Sequence, residues 1–442
     1  MNYPSRILLV LACSVAIGLL GLLFIRNLID FPVYYAAGQS LISGRTDLYA
    51  PDFALGRVMD YRYPPFFLIP LTPIWLLPYS LAAYIWYVLS VLEIIGCVLI
   101  VSRTFPALRE SKKMSLVVAL AVVQYFVMAL HYGNAHLLAT FLMFASLYYV
   151  LHQKDLAAAG LMALAITIKL TPILLLPYFA VKRRWKLLAA VCVFLIAFNV
   201  APSLYFGVRG NSELLRSWYQ HVVASQEFHE DNGPINLSLK GQLRRYLSTV
   251  DYSQRVDGDI QYPSVNVASF SREQVVRAWA VLAVGLFAGV LLLIKWKQRN
   301  RPNSDAAVRR YDPSRTEDAA GLSHELALMI CLTLLAAPLT SKIYFIELLW
   351  PVACLALFAV DGTMRQGTLA MRVLVVVAFV NSVLPLLPGR SVQRLLLVLG
   401  VDFYVNCLLM VGLIYVLESQ RRAFQTQSGG PQMRDRSGAK TP

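Results

Sequence analysis

Long apolar segments dominate this chain and restrict what it can fold into. Ten of them have the roughly 17 to 25 residues with which a helix crosses the hydrocarbon core of a bilayer. They cover residues 7–25, 80–102, 114–131, 135–151, 187–206, 274–294, 322–338, 343–360, 371–387 and 393–417. Hydrophobic residues make up 57% of the chain and charged residues only 15%, whereas a soluble domain carries about 25% charge. The composition therefore excludes a single water-soluble globular fold.

Two further apolar segments are interrupted. Prolines between 63 and 78 break the first one, since each proline fixes φ and removes a backbone donor; we expect a broken or re-entrant segment that leads into 80–102. The second, 156–181, is too long for one crossing and is divided by the Lys-Leu-Thr-Pro stretch that begins at Lys169. The residue before a proline disfavours helix, which predicts two short helices with Lys169 near the turn. Together the segments predict an all-α polytopic membrane protein with about twelve transmembrane helices.

The basic residues indicate the orientation in the membrane. Lysine and arginine exceed aspartate and glutamate by 40 to 25, and most of them fall on one side of the predicted bilayer, which the positive-inside rule makes cytoplasmic. Both termini are then cytoplasmic, and residues 1–417 form a membrane domain followed by a flexible tail, 418–442. Two long outer loops, 26–63 and 207–273, and one cytoplasmic loop, 295–321, connect the helices. Aromatic residues do not interleave with the basic clusters as in a nucleic-acid surface, so we expect no nucleic-acid partner.

The first outer loop opens with DFPVYYAA, which starts at Asp30 and contains Tyr34. An aspartate has an ordinary pKa of about 3.9, and its carboxylate is able to accept the proton of a hydroxyl nucleophile as a general base. The same residue suits the N-cap of a helix, because Phe-Pro follows it. The two interpretations do not exclude each other.

Cationic residues with aromatic neighbours indicate an anionic ligand. Arg62 and Tyr63 belong to the stretch YRYPPF, in which a guanidinium is able to bind phosphate oxygens bidentately beside rings that line an apolar path. This favours a phosphate-headed lipid, although aromatic belts also occur at membrane interfaces without a ligand. Lys169 lies among apolar residues, where an ammonium either contacts an anion or snorkels to the interface. Both interpretations stay open for each stretch.

Other residues with chemical potential show no motif. The acids Glu93, Glu347 and Asp402 lie in apolar segments and would relay protons or cations in a transporter, but their spacing shows no pairs. The histidines and cysteines lack the spacings of metal sites. Glycine-rich nucleotide motifs are also missing. We therefore predict no metal and no cofactor.

Taken together, the motifs resemble glycosyltransferase family 87. The resemblance rests on Asp-Phe-x-Val-Tyr-Tyr, Gly-x-x-x-Leu-Tyr, Tyr-x-Tyr-Pro-Pro-Phe and Lys-x-Thr-Pro, and it spans about Asp30 to Tyr344. It implies the multispan GT-C fold and transfer of a sugar, mannose in the characterised members, from a polyprenyl phosphate to an acceptor outside the cytoplasmic membrane. By this resemblance Asp30 would be the catalytic base, and Asn236 would belong to the Asn-x-Ser-Leu-x-Gly element of the second outer loop.

The chain departs from the family pattern near the ninth helix. Relatives often have Ser-Pro-x-Ser-Trp followed by His-His, whereas residues 337–344 here read APLTSKIY. Lys342 would replace a histidine as a phosphate contact, or it would snorkel. The departure leaves the sugar, the acceptor and the activity itself open.

The sequence thus predicts a glycosyltransferase of the bacterial cytoplasmic membrane with an outward-facing site and an inverting mechanism. Asp30 is the predicted base, and the predicted donor-binding residues are Lys169, Arg62, Tyr34, Tyr63, Asn236 and Lys342. The predicted partners are a polyprenyl-phosphate sugar donor, a lipid or glycan acceptor and the bilayer. Two alternatives remain open. An O-antigen-ligase-like transferase would consume a diphosphate-linked oligosaccharide, and a secondary transporter or lipid flippase would depend on the intramembrane acids and not on Asp30.

Overall fold

The computed structural model describes residues 15–45, 47–49, 61–224, 235–249, 262, 264–299, 316–361, 367–386 and 389–428. Helices are the only regular secondary structure in these residues, which confirms the predicted all-α fold. A helix pairs its backbone N–H and C=O groups within its own segment, as a chain surrounded by hydrocarbon requires.

The α-helices of the described residues are numbered in chain order. They are α1 (Val15–Asn27), α2 (Phe31–Ile42), α3 (Thr72–Trp75), α4 (Tyr79–Thr104), α5 (Pro106–Glu110), α6 (Lys112–Leu120), α7 (Val123–Tyr132), α8 (His136–Leu151), α9 (Asp155–Ile168), α10 (Leu176–Val181), α11 (Trp185–Val200), α12 (Ser203–Trp218), α13 (Leu239–Leu247), α14 (Arg272–Arg299), α15 (Thr316–Ala336), α16 (Leu349–Asp361), α17 (Gly367–Val383), α18 (Arg390–Leu399) and α19 (Val401–Ser428). Shorter 3₁₀ segments include Pro65–Leu68, Thr171–Leu175, Lys342–Leu348 and Leu384–Leu386, and a π turn covers Tyr219–Val223.

The helix lengths support a multi-pass membrane protein. Four segments are long and apolar enough to cross a membrane: Tyr79–Thr104, Arg272–Gln298, Lys342–Ala359 and Val401–Ser419. Three bent pairs raise the number to at most seven if each pair is one crossing: α1 with α2 at 76°, α6 with α7 at 46°, and α11 with α12 and the π turn at 91°. Other apolar helices have only 10–17 residues, and a full crossing needs about 17 or more. The predicted count of about twelve crossings is not confirmed.

Both interrupted segments break where the prolines predict. Before α4, the proline-rich stretch forms the 3₁₀ turn Pro65–Leu68 and the short helix α3. Helix α9 ends at Ile168, Lys169 is extended with φ −142° and ψ 124°, and α10 begins at Leu176. The prediction of two short helices with Lys169 near the turn is confirmed.

The predicted loops contain helices of their own. Helix α2 lies in the first outer loop and α13 in the second, and α19 continues to Ser428 inside the predicted tail. Residues 418–428 are thus helical although they are mostly polar, and the division into a membrane domain and a flexible tail stays a prediction. Parts of the predicted loops and tail lie outside the described residues: 46, 50–60, 225–234, 250–261, 263, 300–315 and 429–442.

The helices pack in two groups that contact each other directly, and the 3₁₀ segment Lys342–Leu348 contacts both groups. In the first group α4 packs against α7 and α8, and α9 packs against α8 and α11; in the second α15, α16, α17 and α19 pack together. The segment Lys342–Leu348 contacts α7 and α8 of the first group as well as α15 and α16 of the second. The link between α1 and α2 is also hydrogen-bonded to the end of α7.

Candidate active site

Asp30 lies in the short link between α1 and α2 and is half buried. The backbone N–H groups of Ile29 and Asp30 donate to the carbonyl oxygen of Tyr132 at 3.2 and 2.8 Å, which ties the link to the end of α7. Because α2 begins at Phe31, Asp30 occupies the predicted N-cap position, yet its side chain makes no capping hydrogen bond. Its Oδ2 accepts a hydrogen bond from the side-chain amide of Asn134. The carboxylate is therefore held by a neighbouring turn and not by its own helix.

The turn between α7 and α8 has a fixed shape. Gly133 has a φ of +62°, a conformation that glycine adopts without strain, and its carbonyl oxygen accepts a hydrogen bond from the indole N–H of Trp86 at 2.9 Å. The Oδ1 of Asn134 accepts from the backbone N–H of His136 at 2.7 Å, where α8 begins. Sequence reasoning did not identify Asn134, since a Gly-Asn pair signals only a turn.

Two predicted tyrosines form an aromatic wall beside Asp30. The hydroxyls of Tyr34 on α2 and Tyr63 lie 2.8 Å apart, and their rings meet edge to face at a centroid distance of 5.0 Å. The backbone N–H of Ala135 donates to the Tyr34 hydroxyl at 3.3 Å, and the ring of Phe67 stacks on Tyr63 at 4.6 Å. Both tyrosines are buried. Residues far apart in the sequence are thus brought together at one wall.

Lys169 contacts the rings of two tyrosines. Its Nζ is 5.9 Å from the ring centroid of Tyr63 and 4.6 Å from that of Tyr344, which are distances of cation–π contact. The side chain is half buried, and its charge is close enough to act on the carboxylate of Asp30. The ammonium therefore faces the same region as the predicted base.

Arg62 lies at the exposed margin of this region. Its backbone carbonyl oxygen accepts a hydrogen bond from the indole N–H of Trp218 at 3.1 Å. Trp218 ends α12, which follows the 91° bend after α11. The charge of Arg62 also acts on Asp30, so the site holds two cations, one half buried and one exposed.

The surroundings of Asp30 change its acidity. Burial raises the pKa of Asp30 above its ordinary value of 3.8, while the hydrogen bond from Asn134 and the charges of Lys169 and Arg62 lower it. Burial has the largest effect, and the pKa is raised. A carboxylate with a raised pKa is a stronger base than an exposed aspartate, which suits it to proton abstraction.

A buried group lies behind Lys169. The imidazole of His136 stacks on the ring of Tyr344 at a centroid distance of 4.1 Å, and its Nε2 lies 3.2 Å from Oε1 of Glu347. His136, Tyr344 and Glu347 are all buried. No sequence pattern predicts this group, because its members share no local motif and meet when the Lys342–Leu348 segment packs against α8.

Lys342 belongs to a separate polar cluster. Its Nζ lies 3.7 Å from Oδ2 of Asp402, and Oδ1 of Asp402 accepts hydrogen bonds from the hydroxyl of Tyr125 at 2.6 Å and from the side-chain amide of Asn381 at 2.8 Å. The cluster is buried apart from the partly exposed Lys342. The acid satisfies much of the charge of Lys342 within the protein.

Asn236 holds two distant segments of the chain together. Its side-chain Nδ2 donates to the carbonyl oxygen of Pro338 at 3.0 Å, and its Oδ1 accepts from the backbone N–H groups of Ser238 and Thr340 at 3.0 and 3.2 Å. The backbone N–H of Leu237 also donates to the carbonyl oxygen of Thr340 at 2.7 Å. The amide of Asn236 thus joins the start of α13 to the segment that leads into Lys342.

The three intramembrane acids differ in their surroundings. Glu347 lies beside His136 and Asp402 beside Lys342, pairs that the sequence spacing did not reveal because the partners are distant in the chain. Glu93 is half buried in the middle of α4. In the described part of the chain, no three His, Cys, Asp or Glu side chains are grouped so that they could hold a metal ion.

The chain was compared with known proteins. The profile of glycosyltransferase family 87 matches residues 61–310, a region that includes Arg62, Tyr63, Lys169 and Asn236. A polyprenol-phosphate-mannose-dependent alpha-(1-2)-phosphatidylinositol pentamannoside mannosyltransferase of Mycolicibacterium smegmatis is 29% identical over 286 residues, which are 61% of this chain and 66% of the relative.

A Mycobacterium tuberculosis protein of the same description is 29% identical over 185 residues, which are 40% of this chain and 41% of the relative. The chain thus spans less than two thirds of the length of these two curated relatives. The family profile, in contrast, covers more than half of this chain. The chain therefore belongs to glycosyltransferase family 87.

Proposed function

We propose that this protein transfers a monosaccharide, mannose in the first instance, from a polyprenyl-phosphate donor to a lipid or glycan acceptor at the outer face of the bacterial cytoplasmic membrane. The observation that carries the proposal is the convergence of the Asp30 carboxylate and the Lys169 ammonium on one region walled by Tyr63. A base and a cation in one site suit a displacement reaction at a sugar phosphate, which has a nucleophile to deprotonate and a leaving group to stabilise. The base serves the incoming hydroxyl and the cation serves the leaving phosphate.

The reaction follows from this arrangement. Asp30 accepts the proton of the acceptor hydroxyl while the hydroxyl oxygen forms a bond to the anomeric carbon of the sugar. The bond between that carbon and the phosphate oxygen breaks, and its electron pair leaves with the polyprenyl phosphate. Attack from the face opposite the phosphate inverts the anomeric configuration. Lys169 and Arg62 stabilise the negative charge that accumulates on the phosphate.

The remaining predicted site residues receive narrower roles. Tyr34 and Tyr63 line the region between the base and Lys169 with buried rings and linked hydroxyls. Lys342 contacts Asp402, and Asn236 is hydrogen-bonded to the backbone of residues 338–340. We propose that Asn236 shapes the donor-binding region, that Lys342, paired with Asp402, lies at its margin, and that Lys169 makes the main phosphate contact.

The proposed donor, acceptor and membrane face are supported by a chemical argument and by the descriptions of the relatives. Outside the cytoplasm no nucleotide sugars are present, so an outward-facing enzyme needs a sugar carried on a lipid whose phosphate meets the interface. The two curated relatives are described as using polyprenol-phosphate mannose and a phosphatidylinositol mannoside. We extend the donor to this chain and keep the acceptor at the level of a lipid or glycan.

The test is a choice of donors. Purified protein in liposomes receives either synthetic polyprenyl-phosphate mannose or a polyprenyl-diphosphate oligosaccharide, with extracted membrane lipids as acceptors. We expect label transfer from the monophosphate donor alone, with inverted anomeric configuration in the product. Transfer from the diphosphate oligosaccharide would favour a ligase. Movement of the donor across the bilayer without product would favour a flippase.

A further inference from the structure

The side-chain amide of Asn134 has one possible orientation. Its Oδ1 accepts from the backbone N–H of His136 at 2.7 Å, and its Nδ2 donates to Oδ2 of Asp30. A backbone N–H only donates, so reversing the amide would set two N–H groups against each other at His136 and an oxygen against the Asp30 carboxylate. The start of α8 therefore determines that a donor points at Asp30.

The backbone of the same turn also holds Asp30. The carbonyl oxygen of Tyr132 accepts from the N–H groups of Ile29 and Asp30. The left-handed Gly133 and its hydrogen bond from Trp86 fix the path of the chain between Tyr132 and Asn134. Both the main chain and the side chain of Asp30 are thus hydrogen-bonded to the α7–α8 turn. These bonds limit rotation of the carboxylate.

The hydrogen bonds of the carboxylate are asymmetric. Oδ2 of Asp30 accepts from Asn134, whereas Oδ1 has no hydrogen-bond donor among the described residues. One carboxylate oxygen is held and the other is available to a hydroxyl. An orientation of this kind matters because a small misplacement of a reacting group costs about 10²-fold in rate.

We propose that Asn134 is a positioning residue for the general base: it holds one oxygen of the Asp30 carboxylate so that the other is presented to the acceptor hydroxyl. The inference rests on the proposed function, in which Asp30 accepts the acceptor's proton. Asn134 itself contacts neither the sugar nor the phosphate in this scheme.

The electrostatics of the site predict a pH signature. The groups that face Asp30 are Lys169, Arg62, Tyr34 and Tyr63, and the hydrogen bond from Asn134 lowers the pKa of Asp30 against the effect of burial. Without that hydrogen bond the pKa rises further. Catalysis needs the ionised carboxylate, so the acid limb of kcat/KM moves to higher pH. A role of Asn134 in stability alone would leave this limb in place.

The test uses Asn134→Asp, which is nearly isosteric. The new carboxylate still accepts from the backbone N–H of His136 but no longer donates to Asp30. We expect kcat to fall by about 10- to 100-fold, the donor KM to stay near its wild-type value, and the acid limb to move to higher pH. Asn266→Asp is the matched control, because Asn266 is exposed and its Oδ1 accepts a local hydrogen bond from the hydroxyl of Ser264; its kinetics should be those of the wild type.

A second variant removes the hydrogen bond without adding charge. Asn134→Ala should move the acid limb in the same direction and also lower kcat. Wild-type kcat and an unmoved acid limb in Asn134→Ala, with Asp30→Asn inactive, would overturn the positioning role and leave the proposed function intact. Normal turnover in Asp30→Asn would instead overturn the assignment of the base, and the positioning role with it.

Discussion

The ammonium of Lys169 is the half-buried cation of the site, in contact with the rings of Tyr63 and Tyr344. Lys169→Met keeps much of the apolar stem and removes the charge that, in the proposed function, stabilises the leaving phosphate. We expect kcat to fall by about 10² to 10³, as measured by steady-state mannose transfer.

Lys169→Arg serves as the matched variant for this prediction. It keeps the positive charge but changes the shape of the cation, so it should retain more activity than Lys169→Met. Equal losses in the two variants would argue that the shape of the residue, and not its charge, is what the site uses.

The pH dependence of the wild-type enzyme follows from the environment of Asp30. Burial raises the pKa of Asp30 above 3.8, and the effect exceeds the opposing hydrogen bond and charges. Because the proposed base acts only when ionised, kcat/KM should fall as the pH drops through this raised pKa. The half-point of the acid limb should therefore lie above pH 3.8, with activity recovered on return to neutral pH. A half-point at or below 3.8 would contradict the assignment.

The sequence identified the charged residues of the site better than the neutral ones. Asp30 and Lys169 stand out because charge is rare in apolar surroundings, and the structure brings them to one region. Asn134 and His136 did not stand out, because their roles depend on a turn and on contacts with distant segments. Lys342 was recognised as a cation, but its contact with Asp402 depends on packing between two segments that are far apart in the chain.

The α7–α8 turn is an element whose shape the site requires. Gly133 has φ +62°, and a Cβ there would lie 3.1 Å from side-chain atoms of Leu28 and Phe31. Gly133→Ala should therefore destabilise the protein by about 1 kcal/mol or more and lower kcat by displacing Asn134. Thermal unfolding in detergent and the transfer assay measure the two effects.

Gly285 offers a matched control for that substitution. It lies within helix α14 with nothing within 4 Å of an added Cβ, so Gly285→Ala should leave activity unchanged and raise stability by up to about 1 kcal/mol. A similar response of Gly133→Ala would show that the turn tolerates other conformations.

The connection between α13 and the 338–340 segment depends on Asn236. Asn236→Ala would remove the side-chain hydrogen bonds of Asn236 to the N–H of Thr340 and the carbonyl oxygen of Pro338, each of which contributes about 1 kcal/mol. We expect a lower Tm with little change in the donor KM, compared with the exposed control Asn266→Ala. A large increase in donor KM at unchanged Tm would indicate direct donor binding.

Proline and charge predicted where elements break, but not how they bend. The break at Lys169 and the broken stretch before α4 follow from Thr-Pro and from clustered prolines. The 76° bend between α1 and α2 was not predicted, because it depends on hydrogen bonds from Ile29 and Asp30 to Tyr132, a residue from a distant part of the chain. Such contacts leave no local signal.

At the scale of the whole molecule, the charge pattern predicts that the site faces outward. In Asp47→Cys the thiol would lie in the first outer loop, and in Lys186→Cys near the start of α11; both positions are exposed. A membrane-impermeant thiol reagent should label Asp47→Cys in intact cells and Lys186→Cys only after permeabilisation, with the unsubstituted chain as background. The reverse pattern would place the site on the cytoplasmic side.

Membrane class and helical fold were predictable from the apolar segments, whereas the number of crossings was not. Segment length alone does not distinguish a straight crossing from a bent pair such as α11 and α12. It also does not distinguish a crossing from a short helix such as α9, which packs between α8 and α11. These distinctions depend on tertiary contacts.

The most direct test of the central claim is mannose transfer from synthetic polyprenyl-phosphate mannose to extracted membrane lipids by wild type, Asp30→Asn and Asp47→Asn. Asp47 is the control because it is an exposed acid of the same loop, paired with Arg45. We predict transfer by wild type and Asp47→Asn, and turnover reduced by about 10² to 10⁴ in correctly folded Asp30→Asn. Near-normal turnover in Asp30→Asn, or no transfer by the wild type, would contradict the account.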